Sequence, residues 1–314
     1  VTTASASLGR PSPRVDTAGV VAVGAFSLFS AALDVYAGNV LQRIDPMLLM
    51  FLCFTSAWAV FTARELLRRS RFVAIALERP SDVLALNLTT AVTWVGLFYA
   101  LKYVEPALVN GISVAIGPIC TILLGRYLRR QSRVLQIEWC CAAGIFITVL
   151  LLSWSSIARA PVSGSRTLLG LVSGVASGVF AAGSLIYSKR LAERGLSASA
   201  IMSVRFLLLI GVTFALSSTA IGGALVRLDV MIPALSLSIL GVVFPLYLLQ
   251  VGIQRLEPVS VALIVTAAPI LTFVLQMFDD RVAFSVTSLA LIVLITLLVS
   301  TSVVARYKME RSPQ

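Results

Sequence analysis

Residues 105–118 read EPALVNGISVAIGP, and residues 257–269 read EPVSVALIVTAAP. Both stretches open on a Glu-Pro pair and close on a second proline. They stand about 150 residues apart, each inside apolar sequence, and a repeat at that distance is the first thing to explain. Working outward, RIDPMLLMFLCF (43–54) lies over GLSASAIMSVRF (195–206), and Tyr36 lies over Tyr187. Pro118 lies over Pro269 if one residue is dropped.

The sequence around these echoes is 58% hydrophobic and 12% charged, with a mean hydropathy of +0.97 over 314 residues. A soluble domain carries roughly a quarter charged residues. The solvent of this chain is therefore mostly lipid. A net charge of +11 would otherwise suggest nucleic acid. Here the basic residues sit in short clusters between apolar runs, as RELLRRSR (64–71) and RYLRRQSR (126–133) do, and read as topology signals and headgroup contacts. No nucleic-acid role is expected.

Apolar runs of about 20 residues, enough for one spanning helix each, fall at 18–38, 46–66, 83–102, 106–126, 134–154, 168–188, 198–220, 231–254, 258–278 and 283–305. This predicts an all-α membrane protein of ten transmembrane helices. Pro106 and Pro258 suit the first turn of a helix, where a missing N–H costs nothing. Glu105 and Glu257 then sit at the positive end of a helix dipole. Arg43, Lys102, Arg159, Arg166, Arg227 and Arg281 fall on one side of the membrane; the other side carries about three times as many Lys and Arg, which places both termini in the cytoplasm. Residues 1–17 read as a cytoplasmic tail, followed by a membrane helix without a cleavage site. Residues 18–155 form a first unit of five spans, 166–305 a second, and 306–314 a cytoplasmic tail. Five is odd, so the second unit enters from the opposite side, giving two inverted five-helix repeats. That is the architecture of many secondary transporters, with the site near the midplane between the units.

The chain contains no His. This removes His-metal sites, Ser-His and Cys-His nucleophile pairs and His proton relays. Cys53, Cys120, Cys140 and Cys141 lie in apolar stretches without metal-ligand spacing and read as small buried hydrophobes. No metal, no cofactor and no enzymatic activity is expected. A phosphate-binding GxxxxGK[ST] loop is missing too, so transport would draw on a gradient or run as facilitated diffusion.

ALKYVEPALVNGISVAIGPICTILLGRYL (100–128), with YSKRL (187–191) and SVRF (203–206), resembles the drug/metabolite transporter (DMT) superfamily in its EamA-like ten-helix branch. The resemblance covers essentially the whole chain. It implies four helices of each half around a central cavity, a fifth at the periphery that often contacts a partner, and export of amino acids or other small metabolites. Two departures are visible. The first helix of each half lacks the tryptophan frequent in that family. The Arg-Phe pair frequent in both second helices is present as Arg205-Phe206, whereas the first copy reads Cys53-Phe54.

Several residues are candidates for transport. Asp34, in SAALDVYAGN (30–39), lies about 24 Å along its helix from Ala18, in the outer half of the bilayer. Ser27, Ser30 and Asp34 share one helical face. A carboxylate there is a proton-titrating or amine-binding candidate, or else a hydrated group near the outer mouth or a bond to a neighbouring helix. Arg205 lies in the inner half. It could take a substrate carboxylate, snorkel to the surface, or tie helices together. Pro118 and Pro269 predict mid-helix kinks, each freeing a carbonyl beside a cavity, with Asn110, Ser113 and Thr266 close by. Trp94, Tyr99, Tyr187 and Tyr247 are candidates for an aromatic wall or, equally, for interfacial anchoring. Asn87, Thr90 and Trp94 share a face, with Gln250 in the equivalent span. Gly170, Gly174 and Gly178 make a surface for close helix approach. Asp279-Asp280-Arg281 reads as a solvated turn and helix cap.

These observations predict an inner-membrane exporter of a small metabolite, working by alternating access as a monomer or homodimer among membrane lipids, with proton or ion coupling through Asp34. Two alternatives stand beside it: a translocator of a lipid-linked or amphiphilic substrate, and a non-transporting scaffold or sensor.

Overall fold

The computed structural model describes residues 16–128, 136–159, 164–256, 258–282 and 284–311. Among them every regular element is helical. The first is α1 (Thr17–Val40), which Asp16 caps by accepting from the N–H groups of Ala18 and Gly19 at 3.0 and 3.3 Å. Next is α2 (Pro46–Leu67), capped by Asp45 and opened by a proline at its first turn. A short helix, α3 (Phe72–Leu77), crosses the basic loop. The chain continues through α4 (Pro80–Tyr103), α5 (Pro106–Leu128), α6 (Gln136–Arg159) and α7 (Gly164–Glu193). It then forms α8 (Ala198–Arg205) and α9 (Leu207–Ala224), followed by α10 (Leu228–Ser236), a π-helical stretch (Leu237–Val243) and α11 (Phe244–Arg255). The last elements are α12 (Pro258–Val265), α13 (Ala268–Gln276) and α14 (Val286–Arg311).

Among the described residues, eight helices are long and apolar enough to cross a membrane, taking α8 with α9 and α10 with α11. Two expected spans fall on α5 and on α12 with α13, whose apolar described stretches, Pro106–Ile116 and Ser260–Gln276, are shorter. Large apolar side chains stand on the outside, such as Trp154 at 74% exposure, and a surface of that kind requires lipid. The chain is an all-helical, multi-pass membrane protein. Pro106 and Pro258 open α5 and α12, as expected.

Packing positions the sites. α4 runs along α7, and α5 also meets α7. α1 lies against α11 and α13, α2 against α8 and α9, α5 against α13, and α6 against α14. Lipid offers no hydrophobic drive between helices, so backbones must approach closely. A Cβ on Gly96 of α4 would lie 2.6 Å from the Ser173 carbonyl oxygen of α7. Ser177 of α7 donates to the Thr93 carbonyl at 2.8 Å across the same contact. The glycine face of α7 behaves as expected: Gly170 meets Tyr103 and Val104, Gly174 meets Ala100, and Gly178 meets Ile116.

The helices differ from ten uninterrupted rods. α5 continues through Pro118, whose side chain lies outside the described residues, as do Glu257 and the side chain of Gln250. The ninth apolar run is broken between α12 and α13, just before Pro269, which has no N–H for the carbonyl four residues back. α8 and α9 are parted at Phe206, where the sequence has neither proline nor glycine. Two further expectations are corrected. Asp279 is buried and pairs with Arg281 at 2.7 Å instead of standing in solvent. Cys140 is exposed on the apolar surface of α6, while the other three cysteines are buried.

Candidate functional site

Two polar clusters interrupt the apolar interior. The first is built on Asp34. This half-buried carboxylate on α1 accepts a 2.8 Å hydrogen bond from Asn110 Nδ2 of α5. The same amide donates at 3.0 Å to Thr272 Oγ1 of α13, which in turn donates to the Ala268 carbonyl. One turn along, Gln276 Oε1 of α13 accepts from the Ala107 N–H. That amide belongs to the first turn of α5, where an N–H has no partner within its own helix. Three helices thus converge on one acid, and among the described residues no Lys or Arg lies within ion-pair distance of it.

A cleft of about 430 Å³ lies one to two helical turns beyond Asp34, between the end of α1 and the turn after α13. Asn39, Arg43, Phe278, Asp280 and Arg281 line it. Gln42 closes part of its floor by donating to the carbonyls of Gly38 and Lys102 at 3.0 and 2.9 Å.

The second cluster is built on Arg205, at the end of α8. Its guanidinium donates to Thr90 Oγ1 of α4 and to Ser184 Oγ of α7, both at 3.3 Å, and to the Met202 sulfur at 3.7 Å. It lies over the Phe206 ring at 5.6 Å. All these partners are neutral. Behind them is an aromatic group: Phe54 is 4.7 Å from Trp94 and 5.2 Å from Phe206, and Phe98 completes it.

Asn87 shapes this cluster. Its Nδ2 donates to the Val204 carbonyl at 2.7 Å, and its Oδ1 accepts from the Leu208 N–H at 3.0 Å. An unbroken helix would pair those two backbone groups with each other. The buried amide of α4 occupies the opened rung, a recognised cause of a helix bend. Its second N–H returns to the Val83 carbonyl at 3.0 Å.

The expected site residues therefore divide. Asp34 and Asn110 meet directly, and Ser30 is half-buried on the same helix as Asp34. Ser113 turns back to the Val109 carbonyl at 3.0 Å. Arg205 and Trp94 belong to the second cluster. Tyr99 pairs with Tyr103 at 6.4 Å. Tyr187 packs with Phe72 and Leu191 near the α7–α8 turn, under Arg190 at 5.3 Å. Tyr247 is exposed and meets Arg64 at 6.0 Å. Thr266 donates to the Leu263 carbonyl and contacts Ser300 of α14 at 3.2 Å.

Sequence reasoning missed Thr272, Gln276 and Glu65. Glu65 sits inside the arginine cluster that closes α2, yet it is buried and accepts from Ser197 Oγ at 3.2 Å and from Ser199 Oγ, at the start of α8. An acid three residues before a run of arginines reads as surface charge. Only its neighbours in space mark it out.

No family model and no curated protein matches the chain. Among solved structures, fourteen chains match. One, a crystal structure of a protein with no further description, superposes with a TM-score of 0.64 at 18% identity, over 95% of this chain and 100% of that one. The two share a fold over that matched length.

Proposed function

We propose that the chain is a secondary transporter of a small metabolite, an exporter of the EamA-like branch of the DMT superfamily in the cell inner membrane. It has ten spans in two inverted units, with both termini in the cytoplasm. The observation that carries this reading is the exchange of partners between helices. α1 opens the first unit and lies against α11 and α13; α7 opens the second and lies against α4 and α5. Swapping the two units turns the first pair of contacts into the second. It also returns α2 with α8 and α9, α5 with α13, and α6 with α14 to themselves. A two-fold relation of opposed units accounts for all five relations at once, and it is the design that lets a shared cavity open to alternate sides.

Asp34 supports the reading further. An intramembrane acid bonded to Asn110 of α5, which in turn reaches Thr272 of α13, beneath an open cleft, suits a group that binds a proton or a cationic substrate. The test compares metabolites inside and outside cells that express wild type, Asp34→Asn or an empty vector. A compound depleted inside and enriched outside with wild type alone is the expected result. No shift with the protein in the membrane, followed by no flux in proteoliposomes, overturns it.

A further inference from the structure

Arg205 poses a problem that its helix-tying bonds do not solve. Its Cα lies about 10 Å along α8 from Ala198, at 1.5 Å per residue. A snorkelling arginine would reach back toward that near surface. Its guanidinium goes the other way. Thr90 lies about 15 Å along α4 from Pro80, and Ser184 about 14 Å from the end of α7. Those two helix ends adjoin the start of α8: Arg190 pairs with Asp82 at 3.7 Å, and Leu191, Leu196 and Ile201 share one apolar cluster. The charge is therefore carried toward the midplane.

There it meets hydroxyls, a thioether and a ring, but no carboxylate within ion-pair distance among the described residues. A cation taken from water needs an anion to offset its desolvation, and hydroxyls do not neutralise it. Thr90, Ser184 and Phe206 are buried, whereas Arg205 and Trp94 keep accessible surface. Thr90 and Trp94 stand one turn apart on the same face of α4. Phe206, which lies under the guanidinium, packs on Phe54, and Phe54 packs on the Trp94 indole, so the two partly accessible residues border one region.

We infer that Arg205 and Trp94 form a subsite for a small monocarboxylate with an apolar group, the carboxylate on the guanidinium and the apolar part against Trp94. The inference rests on the transporter reading and names its substrate class. A guanidinium offers two parallel N–H donors that match a carboxylate in geometry and in charge. Phosphate dianions fit less well, because one arginine leaves a charge unmatched. Asn87 holds the backbone on either side of Arg205, at Val204 and Leu208, and so fixes where the guanidinium starts.

The experiment is saturable binding of 3-phenylpropionate to the full chain in lipid nanodiscs, corrected with empty discs, beside its neutral amide and 3-phenylpropylamine. The expected result is binding of the acid at least tenfold tighter than of the amide or the amine. Arg205→Gln should lose that preference, and Arg205→Lys should keep part of it. Trp94→Ala should weaken the acid and the amide alike. If Arg205→Gln does not fold, Arg205→Lys and Thr90→Val provide the reading. Equal binding of acid and amide to wild type, no saturable binding of the acid, or an unchanged preference in a folded Arg205→Gln protein overturns the proposal. Flux in proteoliposomes separates the two ideas. Arg205-dependent binding without flux keeps the subsite and removes the transporter. Flux of the amine alone keeps the transporter and removes the subsite.

Discussion

Asp34 accepts a 2.8 Å hydrogen bond from Asn110, and this contact joins α1 to α5 inside the bundle. The bond needs an acceptor at position 34 but not a charge, because an asparagine oxygen accepts as well. Asp34→Asn should therefore keep its stability within about 1 kcal/mol of wild type while net flux falls at least tenfold. Thermal unfolding in micelles and flux in proteoliposomes check the two halves of this statement. Full flux would reduce Asp34 to a packing element.

Asn87→Leu removes both groups that hold the opened rung between Val204 and Leu208. A buried backbone donor and acceptor left unsatisfied should lower stability by about 1–3 kcal/mol. The Leu208 amide should also exchange with deuterium faster. Unchanged stability with slower exchange would mean that α8 and α9 fuse and the rung closes on itself.

Gly96→Ala places a Cβ 2.6 Å from the Ser173 carbonyl oxygen, a backbone atom that cannot rotate away. The α4–α7 contact must open, at about 1–3 kcal/mol. Gly211→Ala meets nothing within 4 Å and should be neutral or slightly stabilising, so it serves as the control. Unfolding temperatures of the pair decide the matter.

Glu65→Ala removes the carboxylate that accepts from the Ser197 and Ser199 hydroxyls at the start of α8. The loss should be about 1–3 kcal/mol, with faster protease cleavage in the turn between α7 and α8. Cleavage at the wild-type rate would show that the acid does not hold that turn.

Particular residues explain what could be read from the sequence. Asp34 and Arg205 stood out because an ionised group in an apolar run is costly anywhere except at a site. The break before Pro269 was legible because proline removes a backbone donor. The break at Phe206 was not. Its cause is Asn87, more than a hundred residues earlier in the chain, and SAIMSVRFLLLIG carries no local signal for it. Thr272 was invisible for another reason: threonines in apolar helices commonly bond their own backbone, as this one also does, and nothing local distinguishes the one that meets Asn110. Tyr187 and Tyr247 belong to a residue type that serves membrane interfaces as readily as binding sites.

The interruptions in the helices are unevenly shared along the chain. α2, α4 and α5 run whole, whereas α8 with α9, α10 with α11, and α12 with α13 are each jointed by a parted rung, a π-helical stretch or a proline break. A jointed rod bends at lower energy than a whole one. The second, third and fourth spans of the C-terminal portion thus follow a segmented path, where α2, α4 and α5 are each one continuous helix.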